Sequence, residues 1–217
     1  QVQKLVDKHI TTEGEIVVLT SNVNIFDKEL MEKEMERIGG KAAKADHIAS
    51  RTVKAINVRM DEDPIFYKKL SQLIRETIDE YHAGRLSEVE YLNKVTSYEK
   101  DFTGRRQDNI PGEISDNEIR VAFYNQVNAI LEATMKGRPE LAASLSIGID
   151  ETIRSVIFEH GVLIVDWEHN NDIQGRLRIA LDDYLFDAEP TIGEKLASTE
   201  IDALEDECLK IAKARYK

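Results

Sequence analysis

The chain has 217 residues, enough for one medium-sized domain or a domain with an appended subdomain. Its formal net charge is −12, with 32% charged and 41% hydrophobic residues, so a bare phosphate backbone repels it unless a local basic patch overrides the global field. One cysteine, Cys208, excludes an internal disulfide, and no stretch approaches the roughly 20 apolar residues of a membrane span.

A reducing, cytoplasmic compartment is the expectation that follows. The sequence opens on Gln1 rather than Met and reads as a fragment of a longer protein. Near the start, Ile16-Val17-Val18-Leu19 is β-branched, short and strand-like. A helix is predicted from Lys28 to Arg37. The turn that follows, Ile38-Gly39-Gly40-Lys41-Ala42, has a faint phosphate-loop look. A phosphate loop needs an earlier Gly where Met35 stands and a magnesium-binding Ser or Thr where Ala42 stands. The segment therefore reads as a helix-ending turn.

The next helix runs from Ala42 to Met60, and Asp61-Glu62-Asp63-Pro64 is a polar break. Asp63 can cap the following helix, and Pro64 suits its first position because the missing N–H has no partner there. Phe66, Leu70, Leu73, Ile74 and Tyr81 lie on one face, and His82-Ala83-Gly84 ends the helix. Ser87 and Glu90 make a capping-box pattern, with Leu86 and Tyr91 as its hydrophobic staple. The same pattern recurs at Ser115 and Glu118 between Ile114 and Ile119, so helices are predicted after 87 and after 115. Between them, Gly104 to Gly112 is a polar loop. Its Arg105 and Arg106 are candidates for contact with phosphate, though no aromatic stacking platform accompanies them and a solvated loop is the plainer reading.

Further helices are predicted from Pro139 to Glu159, Asp172 to Leu185 and Thr199 to Arg215. Val162-Leu163-Ile164-Val165 is the second strand-like run, a possible partner for residues 16–19. His160 and His169, near Glu159, Asp166 and Glu168, imitate a metal cluster, but a solvated helix junction is the plainer reading. A catalytic reading needs His160, His169 and Asp166 to meet at one pocket. Cys208 sits on an apolar helix face beside Leu204, Leu209 and Ile211 and reads as a small core residue. Trp167, the single tryptophan, precedes the helix that carries Arg176 and Arg178. Tryptophan and arginine are favoured interface anchors, so these three are the partner-contact candidates, although a core place is the plainer reading of Trp167. The fold class is mainly α, a multi-helix bundle-like array with at most a small two-stranded β element. No catalytic, cofactor-binding or metal-binding residue is singled out.

Two stretches carry a family likeness. One runs from Asp61-Glu62-Asp63-Pro64-Ile65-Phe66-Tyr67 through Leu86-Ser87-Glu88-Val89-Glu90-Tyr91-Leu92. The other runs from Trp167 through Asp172-Ile173-Gln174-Gly175-Arg176-Leu177-Arg178 to Asp182-Asp183-Tyr184-Leu185-Phe186-Asp187. In that order they resemble the C-terminal region of the R (restriction) subunit of type I restriction–modification enzymes. Residues 6–60 resemble the helical segment that follows that subunit's motor domains. The resemblance implies a helical segment over 1–60 and a C-terminal helical assembly domain over 61–217. It implies a parent that cleaves DNA after ATP-driven translocation, with ATP and magnesium belonging to the parent and none to this chain. It also implies partners: the methyltransferase and specificity subunits, and DNA through the parent complex. The expected role is docking the motor onto the methyltransferase–specificity core. The alternative is a regulatory module of the same machine that contacts nucleotide or DNA.

Overall fold

The structure is a computed structural model and describes residues 25–217. The strand expected at residues 16–19 lies outside the described residues. The chain divides into two compact units, Gln1–Arg37 and Ile38–Lys217. In the first, helix α1 spans Lys28–Arg37, and the Asp27 carboxylate accepts the Leu30 amide at 3.1 Å as its cap.

The second unit holds the rest of the described fold. Helix α2 (Lys41–Arg59) starts after Gly40, whose φ of 83° is the left-handed region that favours glycine. The polar break beyond it is a 3₁₀ turn, Met60–Glu62. Helix α3 (Pro64–His82) begins with Asp63 accepting the Phe66 amide and with Pro64 at its first position. It ends as its sequence predicts. Gly84 has φ 70°, its amide bonds the Tyr81 carbonyl, and the Arg85 amide reaches back to Glu80.

Helix α4 (Glu88–Gly104) starts with the complete Ser87–Glu90 capping box. The second box does not form. Helix α5 (Glu118–Ile130) is capped by Asn117, whose Oδ1 accepts from the Ile119 and Arg120 amides at 3.1 Å. Ser115 instead donates to the Gly112 carbonyl within the preceding turn. A second polar residue closer to the helix has taken the cap.

Helix α6 is one turn (Glu132–Met135), and α7 spans Pro139–Ile157. Expectation and structure differ at its end. Phe158–Glu159 leaves the helix as strand β1 and pairs antiparallel with β2 (Val162–Leu163), Phe158 opposite Leu163. His160 (φ 52°) and Gly161 (φ 81°) make the two-residue turn, because positive φ at both positions matches the strand twist. After a 3₁₀ turn at Trp167–His169, helix α8 runs from Asn171 to Ile192. It outlasts its predicted end at Leu185 by two turns and carries Pro190 inside. Helix α9 spans Ser198–Arg215.

Two groups of helices pack within this unit. α2, α3 and α4 pack together, α3 and α4 through aromatic rings, with Tyr81 stacked on Tyr91 at 4.5 Å and Tyr67 against Phe102 at 5.8 Å, and the Tyr91 hydroxyl donates to Asp46 of α2 at 2.8 Å. α5, α7, α8 and α9 enclose a core that is mainly aliphatic and includes Phe123 and Trp167. Ile149, Ile153 and Ile157 on α7 and Leu177, Leu181 and Leu185 on α8 recur every four residues, one face of each helix. Burying such side chains contributes about 1.5–3 kcal/mol each. α3 also packs on α5, and this contact positions the site described next. Among the described residues no helix is long and apolar enough to cross a membrane.

Candidate functional site

The capping residue of α3 is a buried acid. Asp63 is 4% exposed, and its carboxylate gathers groups from three segments. It accepts the Phe66 amide on its own helix, Gln107 Nε2 from the 105–110 loop at 3.1 Å, and Asn125 Nδ2 from α5 at 2.9 and 3.2 Å. Asn125 Nδ2 also meets Gln107 Oε1 at 2.8 Å. Burial pushes the Asp63 pKa up to about 6; the Phe66 amide, the Gln107 and Asn125 side chains and the charge of Arg215 hold it below where burial alone would put it.

Beside this hub is a cleft of about 450 Å³. Ile65, Phe66, Leu70 and Leu73 of α3 form its apolar wall. Tyr124, Asn125 and Asn128 of α5 face them, and the loop contributes Gln107, Asp108 and Ile110. Arg106 and Lys69 stand on the lining with Asp101 and Glu132. This size suits a small ligand or one large side chain.

The sequence candidates fall in separate places. Arg106 is exposed and lines the cleft. Arg105, its neighbour, ends α4 in the left-handed conformation at φ 47°. Its guanidinium pairs with Glu62 at 2.7 Å and with Glu118. Arg215 of α9 pairs with the same two carboxylates at 3.2 and 3.1 Å. Two cations and two anions thus form a closed ring joining the Met60–Glu62 turn, the end of α4, the start of α5 and the end of α9. A phosphate reaching Arg105 has to displace both carboxylates.

Trp167 is fully buried, so its surroundings are those of a core residue and it offers no surface to a partner. Its indole N–H donates to the Tyr216 carbonyl at 3.0 Å. The Tyr216 hydroxyl in turn donates to Asp150, which also accepts Arg120 Nε at 2.8 Å. Arg178 is tied to Glu205 at 3.4 Å and Asp206 at 2.7 Å, a link from α8 to α9. Arg176 is exposed on α8. On the same helix Ile179 (64%) and Phe186 (63%) are exposed one heptad apart.

The remaining chemistry is sparse among the described residues. Asp166, Glu168 and His169 bring their ligand atoms within 4.8 Å of one another at the 3₁₀ turn, and His160 is not in that group. Cys208 is buried, which pushes its thiol pKa far up and leaves it inert. The Gly39–Lys41 turn does not fit a nucleotide phosphate with its magnesium, since Ala42 supplies no hydroxyl and Met35 stands where the motif needs its first Gly. Sequence reasoning missed the cleft. Its signals were single amide residues on α5 and in the loop, and only the contact between α3 and α5 makes them neighbours.

Comparison with known proteins adds one finding. No curated protein and no solved structure matches the chain. A family model described as type I restriction enzyme HindI endonuclease subunit-like, C-terminal, matches residues 1–207. The match covers nearly the whole sequence, in agreement with the ordered signatures at residues 61–92 and 167–187, and the chain belongs to this family, the C-terminal regions of type I restriction enzyme endonuclease subunits.

Proposed function

We propose that this chain is an assembly module: it docks the ATP-dependent translocase and endonuclease of a type I restriction enzyme onto the methyltransferase–specificity core. The observation that carries this reading is the family match over residues 1–207, which is to the C-terminal region of the endonuclease subunit. Charge supports it, because a chain of net −12 is a poor grip for DNA and a suitable surface for a basic protein partner. The pairing of Arg105 and Arg178 with carboxylates supports it over the alternative of phosphate contact. Of the three anchor candidates, Arg176 and Arg178 stand exposed on α8, and Arg178 is already paired with carboxylates of α9.

The test is size exclusion with light scattering, run on the chain alone and with the methyltransferase and specificity subunits. Co-elution at larger mass is expected, weakened by Arg176→Glu. Separate elution at high micromolar concentration overturns the docking role and leaves family membership untouched.

A further inference from the structure

We propose that the cleft between α3, the 105–110 loop and α5 is a socket for an arginine side chain of a protein partner. The argument starts from two amides whose orientation is fixed. Asn125 spends its NH₂ group on the buried Asp63 carboxylate and on Gln107 Oε1. Asn128 spends its NH₂ on the Tyr124 carbonyl of its own helix at 2.9 Å. An amide carbonyl points away from its NH₂, and neither Oδ1 accepts a hydrogen bond from any described residue. The two residues are three apart on one helix, so they are neighbours on its surface, and both line the cleft.

A pair of fixed acceptors selects a ligand rich in donors. The lining charge sharpens the choice, with three carboxylates (Asp101, Asp108 and Glu132) against two cations (Lys69 and Arg106). A phosphate would meet those carboxylates and two carbonyl lone pairs, which is unfavourable on both counts. A guanidinium is planar, permanently charged and presents five N–H donors in a fork. Its propyl stem needs an apolar wall, and Phe66, Leu70 and Leu73 supply one at the i, i+4, i+7 positions of α3. Phe66 and Tyr124 add aromatic rings, on which guanidinium groups stack. Arginine is also among the side chains that anchor interfaces. Asp63 acts as a positioning residue, since its charge dictates which way the Asn125 amide faces.

That the arginine comes from a protein rests on the docking reading; the guanidinium site itself does not. The probe for the site is N-acetyl-arginine amide, titrated into the isotopically labelled chain while the side-chain amide signals of Asn125, Asn128 and Gln107 are followed by NMR. Saturable shifts are expected, with the lysine analogue binding about fivefold more weakly. Asn128→Leu, with its helical circular dichroism unchanged, should weaken the arginine probe about tenfold. Asp63→Asn should weaken it too, because the Asn125 amide is then free to turn its NH₂ into the cleft. No saturable shift by roughly 50 mM probe, or a stronger response of the same signals to AMP or inorganic phosphate, overturns the site. With the methyltransferase–specificity core, Asn128→Leu should weaken co-elution about tenfold. Wild-type co-elution that Asn128→Leu leaves unchanged overturns the arginine's origin in that core while docking stands. Arginine binding without wild-type co-elution overturns the docking reading, and with it that origin, while the site stands.

Discussion

Replacing Gly148 with alanine should destabilise the protein, against the usual effect of filling a helical glycine. A Cβ built at Gly148 on α7 lies 2.0 Å from the Tyr184 Oη on α8 and 2.3 Å from its Cζ. The ring would have to move by about 1 Å before that contact reached even the 3.0 Å limit of real Cβ neighbours. It would swing at the expense of the hydroxyl's 3.3 Å bond to the Leu145 carbonyl. Overpacking of this kind costs about 1–3 kcal/mol, and the lost bond about 1 kcal/mol. Helix propensity returns about 1 kcal/mol. The net is about 2 kcal/mol of destabilisation, or a fall of about 4–8 °C in Tm for a chain of this size. Urea unfolding followed by far-UV circular dichroism measures it. The decisive control is Tyr184→Ala, where the clash is gone and Gly148→Ala should turn stabilising by up to about 1 kcal/mol. The cycle then reads a coupling of about 3 kcal/mol. Equal effects of Gly148→Ala in both backgrounds would refute the close approach of α7 and α8.

Two further predictions concern buried polar groups. Asp63 titrates near 6 in the folded protein against an ordinary value of 3.8, so the fold favours its protonated form. That contribution is complete below about pH 4 and is lost as pH rises through about 6, an amplitude of about 3 kcal/mol. Asp63→Asn mimics the protonated acid, and the stability of the wild type relative to it should rise by up to that amount as unfolding is measured from pH 7 down to pH 4. A constant difference would show that burial does not hold the proton. Gln126 is 2% exposed and its Nε2 lacks a hydrogen-bond partner. Gln126→Leu removes an unsatisfied donor of similar volume and should stabilise by about 1–2 kcal/mol in the same urea assay; a loss of stability would mean that the amide is satisfied in solution.

Local signals in the sequence were legible where one segment settles its own structure. The Ser87–Glu90 box and the Gly84 stop depend on atoms within six residues of each other, and both appear as written. The Ser115 box failed in the same local language, because Asn117 offers a better-placed acceptor two residues on. The predicted end of α8 at Leu185 came from where the apolar repeat faded, yet Ile192 is buried two turns further along and carries the helix past Pro190. The strand at Val162 was legible and its partner was not, since Phe158 and Glu159 continue a helical pattern until His160-Gly161 turns the chain. The amides at 107, 125 and 128 have no periodic signature. Their relation to Asp63 spans up to 62 positions and arises only when α3 lies on α5.

The ring of Glu62, Arg105, Glu118 and Arg215 and the Trp167–Tyr216 bond share one property: each is completed by residues 215 and 216. During synthesis, every residue of α2 to α8 is joined to the chain before these two exist. A nascent chain halted short of them carries Glu62 and Glu118 without the guanidinium of Arg215, and an indole N–H without its acceptor. The core of α5, α7 and α8 therefore waits, open along the side that α9 will cover, until translation has passed Tyr216. Chaperone contacts on this region should accordingly end abruptly once that residue has emerged rather than fade helix by helix.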